Sequence, residues 1–337
     1  MRAAGLARIT SNASTFDILK AVFAALLANL GIAIAKFVGY AFTLSSSMLA
    51  EGVHSLADTG NQFLLLFGDR RSRRDPTPAH PFGYGRERYF WAFVVSIVLF
   101  TLGSAFALFE GVEKLLHPHP IDSPGWALGI LSIAVVMEGL SFRTAVRESN
   151  PIRAGAGWLQ FIRRSKAPEL PVLLLEDSGA LVGLVIALVA VSLSAITGSG
   201  RWDGAGSTLI GLLLGVIAFI LATEMKSLLI GESASDADNE AVTAAIVGSP
   251  SVLSLIHMRT LHLGPEELLV AAKVDFDAAL SFAELAGVID AVEVRIRAAV
   301  PFATVIYLEP DVARTAPSQG VAPDVEAPAE PGGPAPH

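Results

Sequence analysis

Four polar residues follow one another at helical spacing in the second apolar stretch of the sequence. A histidine and an aspartate four residues apart on a helix can reach the same ion. An imidazole nitrogen together with a carboxylate oxygen suits Zn²⁺, and also Mn²⁺ or Fe²⁺. The four residues are separated by three, four and four positions and so share one helix face: Glu51, His54, Asp58 and Gln62.

A second acidic group, Glu176 and Asp177, interrupts the fifth apolar stretch. Placing a charged side chain inside a membrane costs free energy, so charged residues in such a stretch indicate a functional or structural role. Helix rise places Asp58 roughly 15 Å and Asp177 roughly 10 Å from the same membrane face, so the two carboxylates can meet. Adjacent helical residues point about 100° apart, so Glu176 and Asp177 cannot face one site equally without local distortion. We predict a divalent-metal site near mid-membrane from His54, Asp58, Asp177 and Glu176.

Other polar residues of the apolar stretches have a structural interpretation. Intramembrane amides often make hydrogen bonds that pack helices together, and we expect this of Asn61 and Gln62. Two roles are possible for Glu51: a group on the entry or exit path of the ion, or a residue that pairs two helices. Structural roles are expected for Asn29, Lys36, Glu110 and Glu138, although Asn29 or Gln62 could supply another oxygen ligand.

The composition explains why these residues must act inside a bilayer. Charged residues make up 17% of the 337 residues, below the roughly 25% of soluble domains, which excludes an ordinary soluble enzyme. The chain has no cysteine, which excludes disulfides and thiolate metal sites. Six stretches reach spanning length, at 16–40, 44–68, 89–113, 123–146, 170–197 and 205–228.

Basic residues in the loops predict the orientation. Loops rich in lysine and arginine stay in the cytoplasm, and here the basic loops follow the second and fourth stretches. Both termini are therefore expected to be cytoplasmic, and the absence of a presequence-like start favours a plasma membrane, here a bacterial one. The basic residues are Arg70, Arg71, Arg73, Arg74, Arg86 and Arg88, and then Arg147, Arg153, Arg163, Arg164 and Lys166.

Residues 232–312 have a different character from the stretches before them. Thirteen acidic and four basic residues give a net charge of −9, and the periodicity predicts the order αββαβ. The predicted fold is thus an all-α six-helix membrane domain with a small cytoplasmic α+β domain of ferredoxin-like type. We assign residues 1–15 to a cytoplasmic segment, 16–231 to the membrane domain, 232–312 to the α+β domain and 313–337 to a disordered Pro/Ala-rich tail.

The chain resembles the cation diffusion facilitator, or cation efflux, family over roughly residues 15–312. The resemblance lies in SSSMLAEGVHSLADTGNQ, in HPFGYGRERYFWAF, and in six spans followed by a small acidic domain. It implies a homodimer that moves Zn²⁺, or alternatively Mn²⁺ or Fe²⁺, out of the cytoplasm in exchange for protons. It also implies an ion site between spans two and five, onto which His54, Asp58 and Asp177 map.

This sequence departs from the family pattern at two places. Leu173 stands where many members have a histidine or aspartate, so Glu176 is expected to be the substitute fourth ligand. The resulting site is rich in oxygen ligands, which makes manganese or iron more plausible relative to zinc. The α+β domain lacks the histidines that often bind further metal there, and we expect packing or surface roles for His257 and His262.

Three other functions are alternatives to transport. HExxH is absent and few histidines are available, which argues against a membrane metalloenzyme, and no cofactor besides the transported ion is expected. An acidic soluble domain gives no support to nucleic-acid binding. The incomplete pair at Leu173 keeps open a non-transporting family member that acts as a membrane regulator or scaffold.

Overall fold

A computed structural model of the chain describes residues 15–153, 155 and 157–313. The predicted N-terminal segment and the predicted tail lie outside these residues, except for Thr15 and Ala313. The described part is mostly helical up to residue 230, and a small domain with a three-stranded sheet follows.

Long helices make up the first part of the chain. The helices α3 and α4 continue each other through a π-helical segment, so that residues 87–116 form one rod. The short helix α6 lies in a loop where the sequence predicted no helix. The elements are α1 Thr15–Thr43, α2 Ser46–Ser72, α3 Glu87–Val98, the π segment Leu99–Ala105, α4 Phe106–Leu116, α5 Pro124–Arg153, α6 Trp158–Arg164, α7 Glu169–Thr197 and α8 Arg201–Ile230.

Four helical rods are long and apolar enough to cross a bilayer among the residues that the structure describes. They are 87–116, 124–151, 169–197 and 201–230, and they correspond to the predicted spans three to six. The helix α2 does not meet the same criterion. In α2 the polar residues of the candidate site and the arginines near its end lower the apolar content. The membrane character of the domain is confirmed, and six spans remain a prediction.

The beginning of α2 is fastened to the beginning of α8 by one buried carboxylate. The Ser45 hydroxyl donates to Asp203 Oδ1 at 2.7 Å, and the Ser46 amide donates to Oδ2 at 2.7 Å. The Ser47 amide also donates to Oδ1, at 3.2 Å. Amides at a helix start have no partner within the helix, so a carboxylate there stabilises the end. Lys114 of α4 lies 3.7 Å from the same carboxylate and balances its charge.

The small domain follows the predicted order of elements. The strands β1 and β2 pair antiparallel, whereas β2 and β3 pair parallel, giving the sheet order β1-β2-β3. Ser281 and Glu284 form a capping box at the start of α10. The ferredoxin-like assignment itself stays a prediction. The elements are α9 Asp236–Val247, β1 Val252–Gly264, β2 Glu267–Phe276, α10 Phe282–Ala299 and β3 Val305–Asp311.

The turn between β1 and β2 packs against the segment that precedes α3. A Cβ atom on Gly85 would lie 2.8 Å from the Leu263 carbonyl oxygen, so the two backbones approach closely only because residue 85 is glycine. Nearby, Lys166 forms an ion pair with Glu232 at the start of the small domain. These contacts join the sheet to the ends of the membrane helices.

The two histidines of β1 occupy different environments. His262 is buried and stacks on Phe302, with ring centroids 5.9 Å apart, whereas His257 is exposed. These are the packing and surface roles that the sequence predicted. Burial lowers the pKa of His262 below its usual value.

Lowering the pH should destabilise the small domain through His262. The unfolded chain takes up a proton near pH 6.5 and the folded chain does so only at lower pH, so stability falls as pH drops below about 6.5. We expect His262→Gln to reduce the difference in unfolding temperature between pH 7.5 and pH 5.5, measured by calorimetry on the full chain. His257→Gln is the matched control and should leave that difference unchanged. Equal differences in all three proteins would contradict the assignment.

Candidate metal-binding site

Four carboxyl groups surround one small cavity between α1, α2, α5 and α7. The space open to the centre of a water-sized sphere is about 10 Å³, which is room for about one water molecule or one ion. We call it the acidic cavity. The acids that line it are Asp58, Glu138, Glu176 and Asp177, and the other lining residues are Asn29, Ile32, Ser55, Gln62 and Ser141.

Helical spacing places these side chains at the cavity. On α2, Ser55, Asp58 and Gln62 are three and four residues apart and share the face that the sequence predicted. On α5, Glu138 and Ser141 are three residues apart and face the same space. The cavity therefore lies where polar stripes of neighbouring helices meet.

The adjacent residues Glu176 and Asp177 both reach the cavity but contact different helices. The Asn61 amide of α2 donates to Glu176 Oε1 at 2.6 Å. The Ser141 hydroxyl of α5 donates to Asp177 Oδ2 at 2.9 Å. The predicted divergence of about 100° is accommodated without breaking α7, which is helical throughout Glu169–Thr197. Two neighbouring side chains can thus serve one cavity from two sides.

His54 lies beside this group rather than in it. Its Nδ1 atom is 3.5 Å from Asp58 Oδ1, its side chain is 1% exposed, and it does not line the acidic cavity. Both ring nitrogens and Asp58 Oδ1 make no hydrogen bond to any residue that the structure describes. Buried polar atoms normally have partners, so these three atoms are available to a ligand.

The predicted ligands are near one another but do not form a finished coordination site. Within residues 15–153, 155 and 157–313, no three His, Asp or Glu side chains are arranged to hold a metal ion. Asp58 links the two parts, because it lines the cavity and also faces His54. Oxygen ligands predominate, with one imidazole nitrogen at the edge.

A buried ion pair lies next to the cavity on the side of α1. Lys36 Nζ is 2.9 Å from Glu51 Oε2 and donates to the Ser55 hydroxyl at 2.7 Å. Both charged side chains are fully buried. Glu51 is therefore a helix-pairing residue in this structure, which was one of its two predicted roles. Ser55 joins the pair to the cavity wall.

Some functional candidates were missed or left open by the sequence. Glu138 and Ser141 were not assigned to the site, because their spacing of three shows only that they share a helix face and not the direction in which that face points. Asn61 was expected to pack helices, and it does so by holding a predicted ligand. Leu173 packs against a separate cluster around Phe161 and takes no part in the cavity.

Comparison with known proteins decides the family. The sequence pattern of the cation efflux transmembrane domain matches residues 22–230. This chain belongs to the cation efflux family. The matched range holds every residue of the acidic cavity. Cation efflux proteins are membrane transporters and not enzymes.

Individual members of the cation efflux family show the same relationship. The human mitochondrial proton-coupled zinc antiporter SLC30A9 is 36% identical over 72% of this chain and 43% of its own length. Metal tolerance protein C4 of Arabidopsis thaliana is 31% identical over 77% of this chain and 57% of its own length. The cation-efflux pump FieF of Salmonella arizonae is 26% identical over 73% and 77%. The chain thus matches less than half the length of the human relative.

The ion pair beside the cavity should be more important for stability than surface pairs of this cation efflux protein. Removing one partner leaves a buried charge alone, which costs about 3–5 kcal/mol. We expect Lys36→Met or Glu51→Leu alone to lower the unfolding temperature in detergent, and the double variant to regain most of the loss. Glu113→Gln is the control, because Glu113 pairs with His117 at the surface and should contribute at most about 1 kcal/mol. Additive losses in the double variant would show that the two residues do not act as a pair.

Proposed function

We propose that this cation efflux protein exports a divalent metal ion in exchange for protons and binds the ion between α2 and α7. The observation that carries the proposal is the acidic cavity, where carboxylates of both helices meet around space for one ion. Family membership supports transport of a cation rather than another use of this cavity. The human relative is named a proton-coupled zinc antiporter, which supports the coupling to protons.

The proposed ligands are His54, Asp58, Asp177 and Glu176. His54 and Asp58 offer three atoms that make no hydrogen bond to described residues. Glu176 and Asp177 would exchange the hydrogen bonds from Asn61 and Ser141 for the metal. Glu138 is a further candidate, because its carboxyl group lines the same space.

Zn²⁺ is the first candidate ion, and Mn²⁺ and Fe²⁺ are alternatives. The name of the human relative specifies zinc. Oxygen ligands outnumber nitrogen ligands in the proposed set, and oxygen-rich sites also suit harder cations such as Mn²⁺. The selectivity then depends on how far His54 takes part. No resident cofactor is proposed.

Protons enter the proposed cycle through the ligands. Carboxylates and imidazole bind metal in their deprotonated forms, so metal binding releases protons. An ion that arrives from the cytoplasm would displace protons from His54 and the acidic residues, and protons from the other side would release it. Proton flow inward would then drive metal export.

The remaining architecture is part of the same proposal. Residues 16–231 would form the transport domain with six spans, including α1 and α2, and residues 232–312 would dimerise two copies. The basic loops support cytoplasmic termini. We propose a bacterial plasma membrane, and we note that the name of the human relative specifies mitochondria.

Metal flux should depend on Asp58. We expect Asp58→Asn in reconstituted vesicles to reduce Zn²⁺ flux at least about 100-fold, because the amide cannot replace a charged metal ligand. The assay follows Zn²⁺, Mn²⁺ and Fe²⁺ under an imposed pH gradient. Glu113→Gln, at an exposed position, is the control and should transport normally. Flux that ignores the pH gradient would contradict antiport, and flux that survives Asp58→Asn would contradict the site.

The role of Glu176 as a metal ligand can be separated from its role in helix packing. Glu176→Gln keeps an oxygen that accepts from Asn61 but removes the charge. If Glu176 is the fourth ligand, this variant loses metal affinity by about 10- to 100-fold in a binding titration. Leu173→Ala is the control and should bind normally, since Leu173 packs away from the cavity.

The alternative function is a non-transporting membrane regulator or scaffold that acts through the small domain. It predicts that a variant with both His54→Ala and Asp58→Ala keeps its biological effect. Wild-type vesicles without flux of any of the three ions would favour this alternative. The incomplete coordination geometry is what keeps it open.

A further inference from the structure

A second and larger cavity lies where the small domain meets the membrane helices. Its volume is about 890 Å³, which is within the range of pockets for small molecules and cofactors. We call it the junction cavity. Most of its wall is apolar or aromatic, and the residues that matter for the argument are Phe82, Phe90, Trp91, Leu229, Leu261 and Leu263.

The junction cavity opens at a membrane boundary. Trp91 belongs to the first turns of the rod 87–116, and Leu229 belongs to the last turn of the rod 201–230. Both rods are candidate spans. Phe82 and Phe90 are 48% and 47% exposed, so lipid at this level can reach the wall. Tryptophan near the end of a span is typical of the interface between lipid and water.

One cation in the junction cavity lacks a counter-charge. Arg71 is 3.1 Å from Glu87 and is neutralised by it. The guanidinium of Arg86 is half-buried and makes no hydrogen bond or ion pair to the described residues. It lies against the end of α8, where a Cβ on Gly231 would be 3.5 Å from its Nη2. A guanidinium with no anionic partner beside an apolar wall is free to form charge-assisted hydrogen bonds with a phosphate.

We propose that the junction cavity binds an anionic phospholipid of the surrounding bilayer. Its phosphate would pair with Arg86, and an acyl chain would lie along the apolar wall. Basic pockets between spans at the membrane surface bind anionic lipid headgroups in this way.

A second copy of the chain fits this surface less well than a lipid does. A twofold contact centred here would bring each patch against itself, and the two Arg86 side chains would then face each other. Like charges brought together in a contact oppose association. An anionic lipid, in contrast, supplies both the missing negative charge and the apolar partner.

The test measures how much lipid the purified full-length protein retains. Native mass spectrometry would count phosphatidylglycerol and phosphatidylcholine that remain bound after equal exposure to both. We expect a preference for phosphatidylglycerol and an about fivefold weaker retention in Arg86→Gln, as for the loss of one basic residue at a membrane surface. Arg74→Gln is the matched control and should retain lipid normally, because Arg74 does not line the cavity. Equal retention of both lipids, or no effect of Arg86→Gln, would overturn the proposal.

Two further variants test the cavity without altering a charge. Ala79 lines the cavity from an exposed position, so Ala79→Trp should fill space and reduce lipid retention while the protein stays folded. The chain contains no cysteine, so Phe82→Cys introduces a single thiol at the cavity mouth. We expect that thiol to remain unlinked in membranes under oxidising conditions. A disulfide between two copies would show that a second chain covers the cavity, and unchanged retention in Ala79→Trp would equally overturn the lipid site.

Discussion

The gathering of four carboxyl groups, two buried and two partly buried, in an apolar bundle is the constraint on which the rest of this structure depends. Each buried charge costs free energy unless a partner or a proton compensates it. The chain meets this cost with side-chain donors from neighbouring helices, namely Asn61 for Glu176 and Ser141 for Asp177. Since those donors come from α2 and α5, the acidic residues also determine which helix faces must meet.

The helix α2 is held at both ends while its middle carries the candidate ligands. At one end Asp203 accepts from Ser45, Ser46 and Ser47, all of them buried. At the other end Asp69 lies 3.7 Å from Arg88, which is also 2.6 Å from Glu169 at the start of α7. Arg88 thereby joins the two helices that supply Asp58 and Asp177. Moving α2 away from α8 at the first end, or away from Arg88 at the second, would break these contacts.

The sequence predicted this arrangement where the information was local and failed where it depended on helix rotation. Spacing along α2 identified the face with Asp58, and alternation identified both long strands. The place of Glu138 in the cavity could not be read, because an isolated acid in an apolar stretch gives no hint of the direction in which its helix is turned. The ion pair of Lys36 and Glu51, in contrast, could be predicted from the positions of the two residues in the sequence. The two residues lie at similar distances on either side of the break between α1 and α2, which places them opposite each other in an antiparallel pair.

The unfinished coordination geometry is itself informative under the proposed function. Asn61 and Ser141 hold Glu176 and Asp177 by neutral hydrogen bonds, so a metal ion must break those bonds before it gains these ligands. The net gain on binding is therefore smaller than in a site whose ligands are already assembled and free. A transporter requires binding that is favourable enough to capture the ion and weak enough to release it. Competition between helix-packing donors and the ion for the same oxygen atoms provides that balance.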